Sequence, residues 1–133
     1  YRYLIDHKLA DMILTAHIFI RQFDDNFPAT LSKNIITGLL RERLKYSGLV
    51  ITDDLGMGAI QDNYPYEQAI ELAIHAGVDI ILHSNVGHYQ ENIAERTFNI
   101  IQNLVNQKRV SEERIEQSFQ RIMKLKNDFL SGK

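Results

Sequence analysis

Leu49-Val50-Ile51-Thr52-Asp53-Asp54-Leu55-Gly56-Met57-Gly58-Ala59-Ile60 decides the reading of this chain. Its first four residues are apolar or β-branched on consecutive positions, the pattern of a strand buried on both faces. Two carboxylates follow at once, and the C-terminal end of a buried parallel strand is where α/β folds place their reactive groups. Side chains alternate along a strand, so Asp53 and Asp54 cannot face one site in the same way. One is expected to act and the other to tie down the loop.

Two more runs of the same kind flank this one, Met12 to Ile18 and Val78 to Leu82. Helical patterns lie between and after them. The first opens near Ser32, a good N-cap, and runs to about Lys45 with Ile35, Ile36, Leu39, Leu40 and Leu44 in one stripe. The second spans Tyr66 to Ala76, with Pro65 before it and Gly77 as its C-terminal stop. Two more follow, Glu91 to Gln107 and Ser111 to Leu130, the latter striped by Ile115, Phe119, Ile122, Met123 and Phe129. The order is (βα)(βα)(βαα), without linker or repeat, so residues 1–133 are read as one unit.

The composition is that of a globular protein, 44% apolar and 24% charged over 133 residues. Fifteen Lys plus Arg against seventeen Asp plus Glu give a charge of -2, with no basic run dense enough for a nucleic-acid partner. Zero cysteines exclude a disulfide framework and a thiolate metal site. No apolar stretch approaches the about 20 residues that cross a bilayer as a helix. Tyr1 to His7 lack an initiator methionine and a signal-peptide layout, so the chain is expected to begin inside a longer protein. Three parallel strands leave two apolar edges that something must cover. A (β/α)8 barrel takes about 250 residues, so the α/β class expected is the last three βα units of such a barrel plus a C-terminal helix.

Several segments resemble the family 3 glycoside hydrolases, and more closely their bacterial β-N-acetylglucosaminidase branch. Thr52-Asp53-Asp54-Leu55-Gly56-Met57-Gly58-Ala59-Ile60 is similar to the family's nucleophile motif. Thr15-Ala16-His17-Ile18 resembles the preceding barrel strand, and Pro28-Ala29-Thr30-Leu31-Ser32 the segment opening the next helix. Leu40-Arg41 through Tyr46-Ser47-Gly48 resembles the lead into the nucleophile strand. Ala76-Gly77-Val78-Asp79-Ile80-Ile81-Leu82 is similar to the last strand. Ser118-Phe119-Gln120-Arg121-Ile122 and Leu125-Lys126 resemble the closing helix.

The resemblance implies a retaining glycosidase with Asp53 as nucleophile, attacking the anomeric carbon to form an ester that water then breaks. It implies a carbohydrate substrate bearing terminal β-linked N-acetylglucosamine from peptidoglycan, no metal and no cofactor, in the bacterial cytoplasm or outside the inner membrane. In that branch the proton donor is a histidine paired with an aspartate, and the sugar is held by an Asp, an Arg and a Lys-His pair, all upstream of the region present here. The isolated chain is therefore expected to be inactive, and its partner to be the upstream barrel portion or a second copy covering the sheet edges.

Thr52 and the amides of the 54 to 58 loop are expected to hydrogen-bond Asp53, with Gly56 and Gly58 letting the loop turn. His17 either lines the sugar pocket or anchors the loop; the same alternatives hold for His83. Met57 packs beneath the loop, against sugar or as core. His7, His75 and His88 show no ligand spacing, and Lys108 to Glu116 reads as a solvated helix start. Two other classes compete. A phospho-acceptor receiver also presents Asp after an apolar strand, but it needs an acidic pair where this chain has Thr15-Ala16-His17 and a Lys where it has His83-Ser84-Asn85. A non-catalytic barrel fragment that only pairs with another chain is the third.

Overall fold

The first two apolar runs pair as parallel strands over three residues each, and the third meets them at one. The computed structural model describes residues 1–86 and 89–132, so His88 lies outside the described residues. Its elements are α1 (Arg2–Asp6), β1 (Met12–Leu14), a 3-10 turn (Ala29–Leu31), a π-helix (Asn34–Arg43), β2 (Leu49–Ile51), α2 (Gly58–Gln61), α3 (Tyr66–Ala76), α4 (Ile93–Asn106) and α5 (Glu112–Leu130). β1 and β2 are parallel, with Met12 opposite Leu49 and Leu14 opposite Ile51. The third run, Val78 to Leu82, joins the other edge of β2 through a single parallel bridge between Ile51 and Ile80.

The third run stays short of a full strand because side chains take ladder positions. The Val50 N–H reaches the Asp79 carboxylate at 3.0 Å as well as lying in the strand, and the Leu82 N–H goes to Thr52 Oγ1 at 2.8 Å in place of a carbonyl. The expected two-sided burial of the runs holds for Leu49 and Val50 but not for β1. Met12 and Leu14 are 42% and 53% exposed, because β1 is an edge and nothing among the described residues covers that face. The sheet is small and open.

The helix expected over Ser32 to Lys45 is a wide one. Its apolar residues recur at intervals of four and five, which suits i→i+5 bonding such as Leu44 N–H to Leu39 O at 2.9 Å, and it buries Ile36 and Leu40. Ser32 keeps the capping role, since its Oγ accepts the Ile35 N–H at 3.1 Å while donating to Asp24 at 2.6 Å. α3 falls on the expected residues, and Gly77 closes it with φ 113°. A side chain at 77 would also meet Thr37 Oγ1 at 2.9 Å. α5 departs from its apolar stripe: Phe119 and Phe129 are 51% and 69% exposed and no residue of the helix is fully buried. Ile115 packs against the core and Ile122 and Met123 are half-buried, and polar residues one turn apart, Arg114, Ser118 and Arg121, share the inward-facing side.

Those three converge on Asp79, whose side chain is fully buried at the start of the third run. Arg41 donates to it at 2.6 Å, Arg121 at 2.9 Å and Ser118 at 2.9 Å, with Arg114 at 3.8 Å. Arg114 also donates to the Ile74 carbonyl at 3.1 Å and to that of Val78. Burial pulls the Arg41 and Arg114 guanidinium pKa values below their ordinary range, with Asp79 opposing it. One carboxylate therefore joins the π-helix, β2 and α5 at the N-terminal end of the strands.

Beside it, Tyr46 is buried and donates to the Leu49 carbonyl at 3.0 Å. Burial, opposed by Arg41 and aided by Asp11 and Asp79, pushes its phenol from 10.0 up to about 12. A raised folded value means stability that is complete below pH 10 and is lost as pH rises toward about 12. Urea unfolding at pH 8 and pH 11 is expected to show a steeper alkaline loss for the wild type than for Tyr46→Phe, while the variant is weaker by about 0.5–1.5 kcal/mol at pH 8. Equal alkaline losses would refute this.

Candidate functional site

β2 delivers Thr52, Asp53 and Asp54 in alternating directions. Thr52 is fully buried and turns toward the third run, where its Oγ1 accepts from Leu82. It therefore does not bond Asp53 as expected. Asp53 is half-buried, and its Oδ1 accepts the Asp54 N–H at 2.8 Å. Of the two acids, Asp54 is the one whose bonds tie down the loop.

The Asp54 carboxylate accepts the Gly56 N–H at 2.8 Å and the Ser84 hydroxyl, and His83 Nδ1 stands 4.0 Å away. Burial alone raises its pKa, but the bonds from Ser84 and Gly56 and the nearby His83 outweigh that and hold it below the usual carboxylate value. The Asp54 carbonyl accepts from His17 Nε2 at 2.9 Å and from the Met57 N–H at 3.0 Å. A carbonyl only accepts, so His17 Nε2 carries a hydrogen. His17 Nδ1 bonds the hydroxyl of buried Thr30 at 3.0 Å, and Thr30 bonds Thr15 at 2.9 Å. Of the two roles open to His17, the geometry is that of a loop anchor.

His83 sits on the other side of the loop. Its ring meets Tyr66 edge-on at 5.7 Å, its Nδ1 accepts the Asn85 N–H at 3.3 Å, and its buried Nε2 has no partner among the described residues. It fills the space a side chain at position 56 would take: a Cβ on Gly56 would stand 2.9 Å from Asp54 Oδ1 and 3.0 Å from His83 Cε1. Gly56→Ala is thus expected to cost about 1–3 kcal/mol by crowding, read by urea unfolding; a neutral result would show that the loop and His83 shift freely. Met57 is 46% exposed and is not core. A cavity of about 390 Å³ lies at the N-terminal end of the strands, lined by Lys45, Tyr46, Arg121 and Lys124, away from this loop.

Two residues central to this arrangement were not singled out from sequence, Ser84 and Thr30. Each carries a bond to a residue 30 or 13 positions away. Only its place directly after the third run marked Ser84.

Residues 1–125 match the model of the glycosyl hydrolase family 3 N terminal domain. Beta-hexosaminidase A of Pseudoalteromonas piscicida is 34% identical over 134 aligned positions, covering 86% of this chain and 21% of that protein. The structure of a glycoside hydrolase family 3 beta-N-acetylglucosaminidase from Paenibacillus sp. str. FPU-7 superposes with a TM-score of 0.86 at 36% identity, over 95% of this chain and 23% of that one. The beta-N-acetylglucosaminidase from Thermotoga maritima gives 0.78 at 29% identity, over 90% and 26%. The chain thus spans about a fifth to a quarter of the length of these relatives. With its α/β fold shared by these enzymes and the family pattern running through all but its last residues, this chain belongs to glycoside hydrolase family 3, matching that family's N-terminal domain.

Proposed function

We propose that residues 1–133 are the C-terminal portion of a (β/α)8 barrel and carry Asp53 as the nucleophile of a retaining β-N-acetylglucosaminidase. The observation that carries this reading is the half-exposed Asp53 carboxylate at the end of β2, with one oxygen held by its own loop while the long-range ties of that loop fall on Asp54 and on the Leu55 N–H, which reaches the Leu82 carbonyl. A carboxylate so placed is free to attack. It displaces the leaving-group oxygen from the anomeric carbon as a proton donor protonates that oxygen, and the resulting glycosyl ester is cleaved by water.

The proton donor and the sugar-holding residues belong to the remainder of the longer relatives' barrel. The chain on its own is therefore inactive. The exposed edge of β1 supports the same division: Tyr1, Leu4, Leu9, Met12 and Leu14 line an open apolar groove of about 450 Å³, which the upstream barrel portion, or a second copy in its absence, covers. The substrate is a terminal β-linked N-acetylglucosaminide, by likeness to the named relatives. His17, Thr52, Asp54 and His83 support the loop, and Met57, at the exposed rim, faces the sugar.

The test is hydrolysis of 4-nitrophenyl N-acetyl-β-glucosaminide by the chain alone and after addition of the upstream portion. Activity only in the second case supports the proposal. Full activity in the chain alone, or none in the assembled barrel, refutes it.

A further inference from the structure

We propose that Ser84 is a positioning residue for Asp53, acting through the Asp54 carboxylate; the inference rests on the nucleophile reading above. The argument starts from how the Asp54 peptide is fixed. Its N–H is the group that Asp53 Oδ1 accepts. On one side its carbonyl is held by His17, from the segment after β1. On the other side its carboxylate accepts the Gly56 N–H and the Ser84 hydroxyl, with the Ser84 main-chain N–H also turned toward it. Gly56 belongs to the same loop and moves with it. Among the described residues, Ser84 is the hydrogen-bond donor that ties this carboxylate to another element.

Asp54 is thus pinned at both ends, by His17 through its main chain and by Ser84 through its side chain, and the N–H between those pins points at Asp53. Removing the Ser84 hydroxyl takes away the side-chain bond that anchors the Asp54 carboxylate across to the third run; the Gly56 N–H, the Ser84 main chain and the Leu55 N–H bond to the Leu82 carbonyl remain, so the loosening is local to the Asp54 side chain and peptide. His83 cannot replace that bond, because its Nδ1 is 4.0 Å away and already accepts from Asn85. Ser84 itself is exposed, and its other bond, from the Val86 N–H, is long at 3.4 Å. Its loss therefore falls on the loop and not on the core, which separates positioning from stability.

Two measurements test this. In the chain itself, Ser84→Ala is expected to speed solvent exchange of the Asp54 amide proton at least about tenfold with a melting temperature within a few degrees of wild type. Ser84→Thr, which keeps the hydroxyl, restores protection, and Lys124→Ala at the far end leaves it unchanged. In the assembled barrel, Ser84→Ala lowers kcat by about 10–100-fold with KM little changed, as expected for a reacting group displaced by a fraction of an ångström, and Ser84→Thr recovers it. An Asp54 amide equally protected in Ser84→Ala and wild type overturns the inference. The two readings fail separately: an active Asp53→Asn barrel defeats the nucleophile assignment whatever the amide does, whereas an inactive Asp53→Asn barrel beside a fully active Ser84→Ala barrel defeats the positioning role alone.

Discussion

Asp79→Ala is expected to lower the unfolding free energy by about 3–5 kcal/mol, the cost of removing one member of a buried charged network. Asp79 is a single negative charge facing three guanidiniums, and its side chain has no exposure to water. Removing it leaves Arg41 and Arg114, both already resisted by burial, with no carboxylate among these contacts and in mutual repulsion. It also strips the acceptor from the Val50 N–H and the Ser118 hydroxyl, and each unsatisfied buried donor costs about 1–3 kcal/mol. Asp79→Asn keeps one acceptor oxygen, enough for the Val50 N–H, and turns its NH2 toward Ser118, whose hydroxyl can accept, so it loses less. Arg121→Met loses least, because Arg121 is the most exposed of the three cations and the other two remain paired. Urea unfolding of the three variants should give that order. If Asp79→Ala does not fold, circular dichroism shows it directly and the Asn and Met variants carry the ranking. A loss under about 1 kcal/mol in Asp79→Ala would mean that the arginines find water or other partners.

How far the sequence reached depends on how far away each partner is. Gly77 and the helix before it were readable because a helix cap is local, and Ser32 capped its helix for the same reason. The width of that helix was not readable, since residues spaced by four and five satisfy an α-helical stripe nearly as well as a π-helical one. The shortness of the third strand and the exposure of Phe119 and Phe129 on α5 share a cause. Apolar runs predict burial, but Asp79, Arg114, Ser118 and Arg121 took the inward positions with a network whose members lie up to 42 residues apart. At the candidate site, strand alternation was enough to say that the Asp53 and Asp54 side chains meet different surroundings. It could not say that Thr52 turns away to Leu82, or that Ser84 and His17 are the residues that hold the loop, because those bonds bridge elements whose register only the fold sets.

The other large effect concerns Asp53. In the barrel assembled with its upstream portion, Asp53→Ala is expected to reduce turnover of 4-nitrophenyl N-acetyl-β-glucosaminide on the order of 10⁴-fold, the scale seen when a nucleophile is removed. Its folding cost is small: Asp53 makes one bond, to the neighbouring Asp54 N–H, so unfolding free energy should change by less than about 1 kcal/mol. Asp54→Ala behaves in the opposite sense. It forfeits the bonds from Gly56 and Ser84, and its stability falls by about 1–3 kcal/mol. The contrast separates the carboxylate that reacts from the one that builds. The stereochemistry gives a further check. With the Asp53 carboxylate gone, its face of the sugar is open to a small anion, and azide attacking there expels nitrophenolate and leaves an α-glycosyl azide. Formation of that product restores turnover in Asp53→Ala and not in a variant that lacks the proton donor's pocket. A β-configured azide, or an Asp53→Ala barrel as active as wild type, would place the nucleophile elsewhere.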